Sequence, residues 1–293
     1  MLVSSLITNH IWLSLSDALA NLDIASPQCP FGLLEVWDEN NKTFENNLRK
    51  ITDFLNVDVN ISPAMQNVGF ELIGITSDDV QLSLNYIRNR IICLSKCGVK
   101  NITFSSPFTI KALPYENAVQ ILVNNLIYIC NFCVGLGIEV GFEAFDITKD
   151  KCRLLGKTDD LIHVLHEIKD NCANFYLTWD SGHFALEGEN LFVSLSKLKD
   201  FIKRVHISNY SLCQDKWYYG DKHLPFGTFG DMSILKVKKL IAFIKKELIN
   251  TVESLSFEVA CYPQIVGYST TDEVLKHIIS MLSLLEDKNA DNN

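Results

Sequence analysis

Strand-like apolar runs alternate with helical stretches through the whole chain, and the alternation repeats eight times with no Pro-, Gly- or Ser-rich linker. Few architectures accept this pattern, because strands separated by helices lie parallel in one sheet. Strands are expected at Ile7 to Leu13, Phe31 to Trp37, Val57 to Ile61, Asn101 to Phe104, Gly137 to Phe145, Phe175 to Asp180, Ile202 to Ile207 and Ser254 to Val259. Between them, Phe44, Leu48, Ile51 and Leu55 fall on one helical face, and further helices are expected to begin near Ser77, Tyr115, Thr158, Leu191, Ser233 and Thr271. An open doubly wound sheet is the competing architecture, but neither G-x-G-x-x-G nor G-K-[ST] follows the early strands. The expected fold is therefore α/β, a single-domain (β/α)8 TIM barrel over residues 1–286 with a polar tail at 287–293.

Four of the later strands carry an acid or a histidine at or near the end: Glu143, Asp180, His206 and Glu258. Hydrophobic strands rarely tolerate a carboxylate unless it is paired or bound to a cation. In a barrel, C-terminal strand ends converge on one mouth, so the four point at a shared object. Three carboxylates and an imidazole around one point repel each other without a positive centre. One divalent metal ion supplies it, and an oxygen–nitrogen ligand set suits Mn, Co, Mg or Zn. Glu143 and Glu258, on the fifth and eighth strands, are also the candidate catalytic pair. Two carboxylates beside a cation can take and return a proton next to a carbonyl, as sugar isomerisation and epimerisation require.

Two loops add to this. In Asp180-Ser181-Gly182-His183, the aspartate closes its strand, the glycine allows a tight turn and His183 returns toward the mouth as a substrate contact or second ligand. The bland alternative is a helix N-cap followed by a surface histidine. The loop Asp221-Lys222-His223-Leu224-Pro225-Phe226-Gly227 places Asp221 and His223 over the mouth, again as substrate contacts or as part of a polar surface loop. Glu35 reads equally as a substrate contact or a barrel ion pair, and His10 sits where it could face the mouth. Trp217, Tyr218 and Tyr219 either wall a sugar pocket or fill a contact in a homo-oligomer. His163 and His166 read as solvated.

The net charge of -9 argues against binding a phosphate backbone through bulk charge. Nine scattered cysteines fit a reducing, cytoplasmic setting. Cys130 and Cys133 form a lone C-x-x-C that lacks a second pair, so they read as packing residues. The first fifteen residues carry no Lys or Arg and make no convincing signal peptide. The apolar stretch from Ala118 to Phe142 is broken by asparagines and glycines, and reads as a buried helix and strand with no membrane partner.

Gly141-Phe142-Glu143, Asp180-Ser181-Gly182-His183 with Gly188, Val205-His206-Ile207, Asp221-x-His223 and Phe257-Glu258-Val259 together resemble the xylose isomerase-like barrel superfamily, especially its sugar (phosphate) isomerase/epimerase branch. The resemblance covers residues 138–260 well and extends to Leu33-Leu34-Glu35-Val36. It implies one divalent ion held by Glu143, Asp180, His206 and Glu258, with His183 on the substrate. The function expected is a metal-dependent isomerase or epimerase of a small sugar or related polyhydroxy carbonyl compound, acting through an enediolate. The related endonuclease IV-type DNA repair enzymes carry histidines on early strands, where this chain has Asn60-Ile61-Ser62 and Ser105-Ser106. A nuclease and a non-catalytic ligand-binding barrel are the alternatives.

Overall fold

The computed structural model describes residues 2–286 apart from Trp12, Ala25, Pro27 and Thr228, with backbone only at Asn21 and Glu286. The expected tail at 287–293 lies outside the described residues. Eight parallel strands close into a barrel: β1 (Val3–Ile7), β2 (Leu33–Trp37), β3 (Asn56–Asn60), β4 (Asn101–Ser105), β5 (Glu139–Glu143), β6 (Phe175–Asp180), β7 (Ile202–Ser208) and β8 (Ser254–Glu258). Pairing runs in chain order and β1 closes on β8, with Ser4 beside Leu255. Helices α1 (Leu15–Asn21), α2 (Lys42–Ile51), α3 (Ser62–Asn67), α4 (Ser77–Ser95), α5 (Tyr115–Val134), α6 (Thr158–Asn171), α7 (Ser181–Leu186), α8 (Leu191–Leu198), α9 (Ile234–Glu247) and α10 (Thr271–Glu286) fill the connections.

Alternation along the strands sorts the core into two chemistries. Leu34, Val57, Val59, Ile102, Phe104, Val140, Phe142, Leu177, Val205, Ile207, Leu255 and Phe257 are all buried, in the apolar layer between strands and helices. The alternate positions line the barrel interior and are polar: Ser5, Glu35, Asp58, Thr103, Tyr176, Thr178, Arg204 and Ser256 are buried. Bulky branched side chains usually fill this space; here a hydrogen-bonded plug does. Asp58 Oδ2 accepts from Thr103 Oγ1 at 2.8 Å and from Tyr176 Oη at 2.9 Å, and it pairs with Arg204. Gly141 makes the plug possible. A Cβ there would lie 2.7 Å from both Thr103 Oγ1 and the Tyr176 ring, so the aromatic ring crosses the barrel only over a glycine.

Three expectations need correction. The first strand is Val3–Ile7 and not Ile7 to Leu13; a 3-10 turn at Asn9–Ile11 follows it. Ser4 and Ser5 masked the strand, because Ser5 serves the polar interior. Directly after the expected strand at Val57 to Ile61, Ser62-Pro63 opens a helix, α3, that the strand–helix alternation does not call for, with Pro63 in the first turn where its missing N–H costs nothing. Asp180-Ser181-Gly182 is a helix start and not a tight turn. Helix α5 alone among the described residues is long and apolar enough to cross a membrane. It buries Leu122, Leu126 and Ile129 and packs on β5 and α6 as one stave of the helical layer.

Candidate metal centre

The mouth is built around His206. Its Nδ1 lies 3.2 Å from Glu143 Oε1 and 3.0 Å from Glu258 Oε1, and its Nε2 lies 2.8 Å from Glu35 Oε2. Three strands therefore present carboxylates to the imidazole that β7 carries. Burial opposes a charge on His206, but Glu35 and Glu258 outweigh it and hold its pKa well above the ordinary value. Glu258 is held well below the usual carboxylate range, because His223 and His206 overcome its desolvation.

Asp180 plays two parts. It is the N-cap of α7: Oδ1 accepts from the Gly182 and His183 amides at 2.7 and 3.1 Å, and from Ser208 Oγ at 2.9 Å. Oδ2 is buried with no hydrogen-bond partner. Burial, and then the charges of Glu258 and Asp221, push this carboxyl up to about 8. Gly182 is required for space, since a Cβ would meet Asp221 Oδ1 and Ser208 Oγ at 2.5 Å each.

His183 is buried, not at the surface. Its Nδ1 lies 3.5 Å from Asp146 Oδ2 and its Nε2 lies 3.7 Å from Asp221 Oδ2. Asp146 is itself anchored, since its Oδ1 accepts from the amides of Lys149, Asp150 and Lys151. These bonds and His183 outweigh its desolvation and lower its pKa to about 2. Asp146 thus stands beside the His183 ring in the position of an outer partner, although Nδ1 makes no hydrogen bond to it. His223 Nε2 lies 2.9 Å from Asp221 Oδ2 and 3.1 Å from Glu258 Oε2. Burial opposes its charge, yet Asp221 and Glu258 raise its pKa to about 10. His223 also holds a left-handed backbone at φ 51°, and its carbonyl accepts from the Ala260 amide at 2.8 Å. Strain of this kind collects at binding sites. His10 packs against His223 with ring centroids 4.0 Å apart and the planes tilted by 49°, and burial together with His223 lowers its pKa to about 3.

Three groups here have ligand atoms mutually within 4.8 Å: Glu143, His206 and Glu258; Asp180, His183 and Asp221; and His10, His223 and Glu258. Three of the four expected ligands thus share one group, and Asp180 stands in the adjoining one. The donor set fits a divalent cation on an observation of its own. A buried carboxylate oxygen without a partner, beside carboxylates whose charges raise its pKa, is a place where a cation restores the balance. A cavity of about 420 Å³ opens above, bounded by Trp37, Asn60, Ser105, Phe145, Arg153 and His183 among others. Its size suits a small molecule.

Glu35 and His10, both left open by sequence, line the cavity with Glu143, His183, His206, His223 and Glu258. Asp221 lies behind the histidines and holds them. Trp217 is exposed and packs on Tyr218 and Tyr262, not against the cavity. Cys130 and Cys133 are buried, and burial pushes the Cys133 thiol up to about 12. His163 and His166 are exposed. Asp146 and Arg153 escaped the sequence reading because they lie on a loop without periodicity.

The fold is shared by solved structures of low sequence identity. L-ribulose 3-epimerase aligns at 15% identity with a TM-score of 0.72, covering 98% of this chain and 95% of that one. The IOLI protein with a bound zinc atom aligns at 12% and 0.71, over 97% and 98%. An AP endonuclease of family 2 from Brucella melitensis aligns at 12% and 0.64, over 88% and 93%. No curated protein sequence matches significantly. The family model described as xylose isomerase-like TIM barrel matches residues 25–278, and the chain belongs to that family.

Proposed function

We propose that the chain is a metal-dependent isomerase or epimerase of a small polyhydroxy carbonyl compound. The observation that carries this reading is the placement of Glu143 and Glu258 on one imidazole, 3.2 and 3.0 Å from His206 Nδ1, at the floor of a cavity of sugar size. One divalent cation, Mn, Co, Mg or Zn, held by Glu143, Asp180, His206 and Glu258, would polarise the substrate carbonyl and offset the charge that develops beside it. Glu143 and Glu258 come from β5 and β8 and approach a substrate from different sides. One takes the proton from the carbon next to the carbonyl, giving an enediolate. The other returns a proton, to the neighbouring carbon for isomerisation or to the opposite face for epimerisation. In this reading His183 and His223 hydrogen-bond substrate hydroxyls, with Asp146 3.5 Å from His183 Nδ1 and Asp221 2.9 Å from His223 Nε2 behind them. Nine free cysteines support a cytoplasmic setting.

The test is exchange of the carbonyl-adjacent proton with solvent deuterium, followed by NMR over a panel of ketoses and their phosphates. Elemental analysis of protein purified without chelator is expected to show about one divalent ion per chain, by the single-centre ligand count. No exchange on any panel member by metal-replete protein would remove the isomerase reading. A second reading rests on the Asp180, His183 and Asp221 group, which could hold a further cation for phosphodiester hydrolysis. Cleavage of a duplex containing an abasic site would favour it.

A further inference from the structure

Five arginines occur in the chain. Arg204 is paired with Asp58 in the barrel plug, and Arg90 is paired with Asp38 and Glu45 at 2.7 and 3.1 Å. Arg153 is different. It borders the cavity, yet among the described residues it forms no ion pair, and its Nε and Nη1 are buried without hydrogen-bond partners. Its guanidinium lies on the Phe108 ring, with Cζ 3.4 Å from the centroid. The backbone fixes this placement. Phe108 and Arg153 form an antiparallel bridge, and the Leu154 amide donates to the Pro107 carbonyl at 2.9 Å, which joins the loops after β4 and β5. Glu71 and Asp146 act on Arg153 only through space, and desolvation lowers its pKa despite them. Burial lifts the Glu71 carboxyl itself to about 7, so its counter-charge is incomplete at neutral pH.

Lys151, two residues earlier, borders the same cavity. Its Nζ donates to Asp150 Oδ2 at 3.0 Å and to the Asp221 carbonyl at 3.2 Å. One loop therefore carries two cations to the wall of a cavity whose floor is rich in carboxylates. A half-buried guanidinium with two buried nitrogens lacking hydrogen bonds and no directly paired carboxylate is costly, and an oxyanion satisfies both deficits through charge-assisted, often bidentate contacts. The arrangement gives the cavity two electrostatic ends: carboxylates and imidazoles at the floor, a guanidinium at the wall.

We infer that Arg153, with Lys151 beside it, is the subsite for an oxyanion group of the substrate, a carboxylate or a phosphate, so that the enzyme works on acidic or phosphorylated polyhydroxy compounds in preference to neutral sugars. This rests on the reading of the cavity as an isomerase or epimerase site. Arg153 acts in binding and orientation and takes no part in proton transfer.

The experiment is isothermal titration calorimetry on the metal-replete full chain at fixed ionic strength. The probes are matched pairs: ribulose 5-phosphate against ribulose, and gluconate against glucitol. Wild type is expected to bind the anionic member of at least one pair about 10- to 100-fold more tightly, the range of a charge-assisted hydrogen bond. Preference in the first pair alone identifies phosphate as the recognised group, and in the second alone carboxylate. Arg153→Ala is expected to abolish the preference, bringing the ratio of the anionic to the neutral affinity to about one, and Arg153→Lys is expected to restore part of it. Thermal melts of both variants check the fold, and Lys151→Ala supplies a second reading of the same wall if Arg153→Ala unfolds. The inference is overturned if wild type shows no anion preference in either pair, or if the preference survives in folded Arg153→Ala and in Lys151→Ala alike. Anion preference without solvent exchange at any substrate carbon would keep the subsite and sink the isomerase reading, so the two failures are separable.

Discussion

Two arcs of one barrel mouth carry opposed chemistry. β3 and β4 end in Asn60 and Ser105, neutral groups that satisfy each other through a 3.1 Å hydrogen bond. β5 through β8 bring Glu143, Asp180, His206 and Glu258, all buried and all titratable. Both arcs are built of parallel strands, with Ser105 directly beside Glu143 where they meet, and the charged arc carries a register shift at Leu177/Thr178 where β6 pairs with β7. The difference in charge lies in the side chains at the strand ends. The neutral arc costs the fold little. The charged arc is expensive, because burying carboxylates in a shared site opposes folding unless something balances them. A barrel that places that expense on one arc, and leaves it off the other, has concentrated its chemistry there.

The largest expected effect breaks the charged arc. Glu143→Gln or Glu258→Gln keeps size and removes the base, and turnover is expected to fall about 100- to 10,000-fold, the usual contribution of general acid–base catalysis. Metal content is measured alongside, since both residues are proposed ligands. A variant with full metal and near-normal turnover would show that carboxylate to be structural.

Asp180 separates the two parts that its two oxygens play. Asp180→Asn retains an N-cap acceptor, so stability in urea is expected to stay near wild type while metal occupancy drops. Asp180→Ala loses both, and about 1 kcal/mol of stability should go with the cap. Equal metal binding by the Asn variant would remove Asp180 from the ligand set.

Asp146 sharpens the comparison through pH. Its carboxyl is depressed from 3.8 to about 2, so the stability it supplies is present above 3.8 and is lost as pH falls through about 2. Asp146→Asn removes that titration, and the slope of unfolding free energy between about pH 4 and 2 is expected to be flatter than in wild type. An unchanged slope would mean that His183 is held by other contacts.

The smallest effect belongs to the neutral arc. Ser105→Ala deletes the acceptor of the Asn60 amide and should cost about 0.5–1.5 kcal/mol of stability, with metal content unchanged. A loss of metal in that variant would erase the distinction between the arcs.

Much of this was legible in the sequence, and the misses share causes. The helical faces and most strands announced themselves because their buried layer is apolar and periodic, as in Phe175–Asp180. The convergence of Glu143, His206 and Glu258 was readable because a carboxylate at the end of an apolar run is conspicuous. β1 was misplaced because its Ser5 serves a polar interior, which looks like a loop in sequence. Asp180 was weighed as either ligand candidate or helix cap, and the structure gives it the cap through one oxygen while leaving the other free. Arg153 and Asp146 gave no signal, since their surroundings come from a loop–loop bridge that no local pattern encodes.

The glycine under the tyrosine restricts how this barrel can change over generations. At position 141 any side chain collides with Tyr176, so the glycine cannot drift while the tyrosine stays. Shortening Tyr176 removes a donor from Asp58, the carboxylate that pairs with Arg204. Residues on β3, β5, β6 and β7 are thus tied into one unit of inheritance, and a lineage that replaces one must pass through a less stable intermediate or replace several together. The plug beneath the cavity is in this sense resistant to change, and new specificities are more readily reached at the wall, where single side chains such as Arg153 stand on loops.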